Sequence, residues 1–209
     1  MVVVGILIAL QINNWNEWRK ERALERIVLE DIESNINRNL LLINSAISTI
    51  ENINLSTEVL INVIEDKIPY SDSLSLHLDQ GMRSGTFLFK LNSDGYESLQ
   101  STGFNIIQNE ELKDEILSLY EVTYGYVLTT LQFANSIYDY HAWKDFFYKN
   151  SDNLLVPYSQ NTLLDKRLFT EIMDIKFLRN DFRNALEESL EPSQKVLHLI
   201  ESELDKFLR

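Results

Sequence analysis

Apolar positions fall at helical spacing over most of this chain. From Trp18 to about Glu65 there is no glycine or proline, and Val28, Ile32, Ile36, Leu40, Ile43, Ile47 and Ile50 recur at steps of 4, 4, 4, 3, 4 and 3. The mean step of about 3.67 belongs to a straight α-helix rather than to a left-handed coiled coil. The pattern predicts one long helix, on the order of 70 Å if it continues to Glu65, with Asn52 and Asn54 as points where it could fray or bend. Pro69 ends the pattern, because a proline pushes the residue before it, Ile68, out of helical geometry. Asp72 or Ser73 can then cap a short helix through Leu74, Leu76 and Leu78 that ends near Gly81. Thr86–Leu91 is the one strand-like run; with no partner strand it reads as an extended connector. Ser84-Gly85 and Ser93-Asp94-Gly95 read as turns, and Ser93 or Asp94 caps a short helix through Tyr96 and Leu99 that Gly103 ends.

Asn109-Glu110-Glu111-Leu112 has the form of a helix start, with a capping side chain and an acidic first turn. Leu112, Ile116, Leu119, Thr123, Val127, Leu131, Ala134, Ile137 and His141 continue it to about Tyr148. Gly125 inside this helix costs about 1 kcal/mol against alanine, which suggests close approach by another helix. Asn150–Asn153 and Pro157 form a linker, and a last helical stretch runs from about Thr162 to Arg209. Leu178, Phe182, Leu186, Leu190, Leu197, Ile200, Leu204 and Phe207 lie along it, with a kink or restart expected at Pro192. The expected fold is all-α: an elongated helical bundle of three long helices plus short crossover helices, preceded by a partial membrane-anchor helix. Residues 1–16 are then the end of a transmembrane anchor and residues 17–209 a single helical-bundle domain.

The anchor reading rests on Val2–Ile12, a stretch in which no charge appears before Glu17. Trp15 and Trp18 follow, and indoles favour the membrane interface. As a helix Val2–Ile12 spans roughly 17 Å, whereas a bilayer core needs about 20 residues. The segment therefore reads as the second half of a membrane helix whose first half lies upstream; a buried core helix and an interfacial anchor are the other readings. It lacks the basic start and the cleavage site of a signal peptide. The net charge of −13 argues against nucleic-acid binding. The one basic cluster, Arg19, Lys20, Arg22 and Arg26, sits beside the apolar stretch, where lipid headgroups are the expected neighbours. An apolar fraction of 44% is ample for a packed core, and the absence of cysteine removes disulfides, thiolate catalysis and iron–sulfur clusters.

The segment Val3-Val4-Gly5-Ile6-Leu7-Ile8-Ala9-Leu10-Gln11-Ile12-Asn13-Asn14-Trp15-Asn16-Glu17 resembles the signature of a bacterial family of uncharacterised membrane-anchored helical proteins. The resemblance continues at Tyr96-Glu97-Ser98-Leu99-Gln100-Ser101-Thr102-Gly103 and at Leu119-Tyr120-Glu121, so that it covers nearly the whole chain. It implies single-pass placement in the bacterial inner membrane, with the helical domain in the periplasm and membrane lipid as a partner. It brings no activity, ligand or catalytic residue. In the family a basic segment and the first half of the membrane helix precede the Val-Gly-Ile-Leu-Ile motif; this sequence has neither.

Catalytic groupings are hard to find. His77, His141 and His198 lie on three different segments. Asp145 shares a helical face with His141, which reads as a hydrogen bond before a metal pair. Glu-x-x-His, the di-iron bundle motif, is absent, as are the nucleophile elbow and the phosphate loop. Glu110-Glu111 and Glu187-Glu188 read as solvated helix faces. No catalytic residue, cofactor or metal site is assigned. The crowded aromatics from Tyr120 to Tyr148 read as core packing before a ligand cleft. The residues singled out for a structural or partner site are Tyr96, Glu97, Leu99, Gly103 and Tyr120, with Trp15 and Trp18 at the membrane interface. The functional expectation is a non-enzymatic, membrane-tethered module for protein–protein interaction or scaffolding in the cell envelope, with homo-oligomerisation open. The alternative is an extracytoplasmic sensor binding a small ligand between helices.

Overall fold

The computed structural model describes residues 2–71, 73–83, 89–137 and 166–208. Among the described residues every regular element is helical. Helix α1 runs over Val2–Ile64, α2 over Leu74–Arg83 and α3 over Asp94–Thr102, followed by a 3-10 turn at Phe104–Ile106. Helix α4, Glu110–Leu117, passes through a π-helical turn at Ser118–Thr123 into α5, Tyr124–Ile137. Helix α6 covers Lys166–Glu188, α7 covers Leu190–Leu204, and a 3-10 turn covers Asp205–Leu208. The expectations for Asp72, Ser84-Gly85, the start of the connector at Thr86, the helix from Tyr138 to Tyr148 with His141, the linker at 150–157 and the start near Thr162 fall outside the described residues.

The chain forms two compact units. The first comprises Met1–Leu41, Leu91–Tyr124 and Leu190–Arg209. Its core is Val28, Leu29, Ile32 and Ile36 of α1, Leu99 of α3, Leu112 and Ile116 of α4, and Val196 and Ile200 of α7. The second comprises Leu42–Lys90 and Gly125–Ser189. There Leu60, Ile61 and Val63 of α1 pack with Leu74 and Leu78 of α2 and with Ile172 and Ile175 of α6. Polar ties cross the second unit too. Arg179, buried, donates to Thr57 Oγ1 at 3.1 Å, and Asn54 donates to Asn180 at 2.7 Å. Asn54 thus joins two helices; α1 continues through it to Ile64 without a break.

Helix ends follow local chemistry. Asp66 adopts φ 58°, its amide reaches Val63 O at 3.1 Å, and the Lys67 amide reaches Asn62 O at 2.8 Å. This is the paired closing bond of a helix ended by a left-handed residue, with aspartate in the place glycine usually takes. Asn109 caps α4 as its sequence suggests, its side chain accepting from Leu112 N at 3.2 Å. The last two helices restart at Pro192: α6 ends at Glu188, Ser189 forms a turn, and the proline lies in the first turn of α7, where its missing N–H costs least.

The N-terminal anchor needs correction. No helix among the described residues is long and apolar enough to cross a membrane. The apolar run ends at Ile12, and the following turns of the same helix carry Asn13, Asn14, Asn16, Glu17, Arg19 and Lys20. Charged groups at that spacing are costly in hydrocarbon, so these turns do not extend the apolar run into a span. Single-pass inner-membrane placement and a lipid partner lose their basis with it, and so does an interfacial role for Trp15 and Trp18. The two indoles are exposed on α1, and the guanidinium of Arg19 lies 5.4 Å from the Trp15 ring centre. The other basic residues also have protein partners: Lys20 pairs with Glu17 at 2.9 Å, Arg26 with Glu30 at 2.8 Å, and Arg22 with Glu25.

Gly125 is the second correction. A Cβ built there meets nothing within 4 Å among the described residues, so no described helix is pressed against it. Its cost is then purely conformational, and Gly125→Ala is expected to stabilise the protein by about 0.5–1 kcal/mol, read as a rise in the urea midpoint. A drop in the midpoint would mean the position is crowded after all.

Candidate functional site

The residues singled out from the sequence are brought to one junction in the first unit, where α3 lies on α1 and faces the π-helical turn. Its base is a close contact between backbones. A Cβ at Gly95 would stand 2.7 Å from Ile32 N and 2.8 Å from Asp31 C, so only glycine lets α3 come this near. Ser93 precedes α3 but makes no side-chain cap. The cap comes from α1 instead. Asn35 Oδ1 accepts the Gly95 amide at 2.8 Å, and Asn39 exchanges hydrogen bonds with Asn92: its Oδ1 accepts the Asn92 amide at 2.7 Å and its Nδ2 donates to Asn92 O at 3.0 Å. Both asparagines are buried. Their amides satisfy backbone groups that the helix start leaves open.

Once α3 is docked, Tyr96 and Leu99 point inward. Leu99 is fully buried, and the Tyr96 ring stacks on Tyr120 with centroids 4.5 Å apart and planes 2° from parallel. Tyr124 meets Tyr120 edge-on at 5.3 Å, and Phe104 closes the other side of Tyr96 at 6.1 Å. The Tyr96 hydroxyl donates to Glu121 Oε1 at 2.7 Å, and the Tyr124 hydroxyl shares a hydrogen bond with Ser193 Oγ at 3.0 Å. The Tyr120 hydroxyl is buried and has no hydrogen-bond partner among the described residues. Burial pushes all three phenols up. Tyr96 reaches about 12, with the Glu121 carboxylate adding to the effect of burial. Tyr120 rises by burial and by its tyrosine neighbours. Tyr124 rises too, its hydrogen bonds to Ser193 and Asn39 offsetting part of the burial. None of these phenols can act as a base near neutral pH.

Glu97 stays outside the stack. It is exposed and accepts the Ser93 hydroxyl at 2.6 Å. Gly103 ends α3 at φ 101°, its amide bonded to Leu99 O at 2.9 Å.

Tyr124 was not foreseen as part of this site, and the π turn explains why. Its bond runs from the Tyr124 amide to Leu119 O, one residue longer than in an α-helix. The extra residue moves the inward face from Thr123 to Tyr124 and lets the adjacent Leu119 and Tyr120 both be buried.

A second polar grouping in this unit was also missed. Glu25 and Glu203 are both buried, and Arg22 contacts each of them, Glu203 at 3.5 Å. Glu25 accepts the Gln108 amide at 2.9 Å; Glu203 accepts from Lys206 at 2.7 Å and from Asn109 at 3.2 Å. Burial raises the Glu25 carboxyl above its ordinary value, and the Gln108 and Arg22 contacts offset only part of that. For Glu203 burial also raises, but Lys206, Asn109 and Arg22 together outweigh it and hold the carboxyl low. No grouping of three or more His, Asp or Glu able to hold a metal occurs among the described residues. In the second unit a cavity of about 300 Å³ is lined by Thr49, Asn52, Ile53 and Gln80, none of them charged.

No family model, curated protein or solved structure matches this chain. The resemblance to a membrane-anchored bacterial family is therefore not supported, and the features it implied fall with it. The sensor reading is corrected as well. Between α3 and the π turn the rings of Tyr96, Tyr120 and Tyr124 pack on one another. Expectations of a protein partner and of homo-oligomerisation find no support in the fold or in the comparisons.

Proposed function

We propose that this chain is an architectural helical domain that carries out no chemistry of its own, and that Tyr96, Leu99, Gly103 and Tyr120 serve its assembly. The observation that carries this reading is how the buried polar groups of the first unit are used. Asn35, Asn39, Tyr96, Tyr124 and Glu25 each spend their hydrogen bonds tying one helix or linker to another. A catalytic group needs a free, positioned donor or acceptor facing substrate; Glu121, an exposed carboxylate at the stack, is engaged by the Tyr96 hydroxyl, and the unpartnered Tyr120 hydroxyl is buried.

The test is a screen of the purified full chain against generic ester, phosphate-ester, glycoside and nicotinamide-linked substrates. The expected result is no turnover above buffer. Turnover that disappears in both Tyr120→Phe and Glu121→Gln, with unchanged thermal melts, would replace this reading with an enzymatic one at the tyrosine stack.

A further inference from the structure

Arg22 contacts three groups that belong to opposite ends of the sequence. Its guanidinium pairs with Glu25 on its own helix, lies 3.5 Å from Glu203 near the end of α7, and sits 4.1 Å from the centre of the Phe207 ring in the final 3-10 turn. A charged guanidinium over an aromatic face and against two buried carboxylates is held on three sides. We propose that Arg22 and Glu203 form an acid-releasable latch that holds the end of α7 and the turn Asp205–Leu208 onto α1.

The surroundings set the direction of release. From α1 the groups facing the latch are Arg22 and Glu25; from the linker before α4 they are the Gln108 amide and Asn109; from α7 and the last turn they are Glu203 and Lys206. With both carboxyls ionised, two anions face two cations, and the charges balance. Glu25, whose carboxyl is raised, takes a proton first as pH falls, leaving Arg22 paired with Glu203. Glu203 is held low and protonates last. Its native pKa lies below the unfolded one, so its stabilisation is complete above the ordinary value of 4.5 and is lost as pH falls through the native value. Arg22 and Lys206 then face each other without an anion. Further up the same helices Glu33 is raised by burial and by Glu201 and Glu30, so acid relieves a repulsion there while it opens the latch. The opening should therefore stay local to the chain end.

Hydrogen–deuterium exchange of the full chain, followed by mass spectrometry from about pH 7 to about pH 3 and corrected for intrinsic rates, tests this. In the wild type, peptides spanning 203–208 should exchange about tenfold faster or more once pH falls through the lowered Glu203 value, while peptides spanning α4 stay protected. Glu203→Gln should show that faster exchange already at neutral pH, and Glu25→Gln should keep the wild-type release pH. Unchanged protection of 203–208 in acid would overturn the latch. So would loss of protection there and in α4 together, or wild-type protection in a folded Glu203→Gln. If that variant does not fold, the wild-type pH series alone decides.

Discussion

Gly95→Ala is expected to destabilise the protein by about 3 kcal/mol, the upper end of what a single added methyl costs in a packed interior. Most overpacked sites relax by turning a side chain. Here the new carbon would meet Ile32 N at 2.7 Å and the Asp31 carbonyl carbon at 2.8 Å, both backbone atoms within a continuous helix. The backbone of α1 cannot give way without breaking its own hydrogen bonds, so α3 has to move out. That displacement would lengthen the 2.8 Å bond from the Gly95 amide to Asn35 and part the Tyr96 ring from Tyr120. Urea unfolding monitored by circular dichroism gives the difference directly, and tyrosine fluorescence should report the disturbed stack in the folded state. A midpoint equal to that of the wild type would mean that α3 does not sit this close to α1.

Glycine is where sequence reading is weakest, and the two cases here fail in opposite directions. Gly125 suggested a close approach and meets none among the described residues; Gly95 looked like a turn residue and is the most crowded glycine among them. Neither is decided by its neighbours in sequence, because crowding at a helix face depends on what the other helix presents. The long helices themselves were legible. Of the stripe on α1, Val28, Ile32, Ile36, Ile43 and Ile50 are buried, as their spacing requires, while Leu40 and Ile47 are half-buried. Asn35 and Asn39 fall in phase with that stripe, and their phase alone could have marked them as inward-facing. Residue type points the other way, because asparagine usually lies outside. The basic neighbours of Arg22 and the apolar residues before it suggest lipid headgroups, whereas two of its partners, Glu203 and Phe207, come from the other end of the chain. The π turn carries no signature in the sequence: Ser118–Thr123 reads as ordinary helix, so the inward face was drawn through Thr123 instead of Tyr124.

Leu99→Ala should cost about 2–5 kcal/mol. Leu99 has no exposed surface, and it sits on α3 between the glycine contact at its start and the Gly103 cap at its end. Truncation removes buried methyl groups, and α3 is poorly placed to fill the space, because Gly95 is already in contact with α1 and cannot move closer. The cavity term is then retained in full, which favours the upper half of the range. Gly103→Val probes the other end of the helix by a different route. No described atom lies within 4 Å of a Cβ built at that position, but φ is 101°, where a β-branched residue is strained, so about 1–3 kcal/mol is expected from the backbone alone. Tyr96→Phe removes only the hydroxyl that donates to Glu121, keeps the stacked ring, and should cost about 1 kcal/mol. The order Leu99→Ala above Gly103→Val above Tyr96→Phe, measured by thermal melts with circular dichroism, is what an assembly junction requires. A site kept for binding would show no such order: melts near wild type for Leu99→Ala and Gly103→Val would mean that the fold does not depend on the docking of α3.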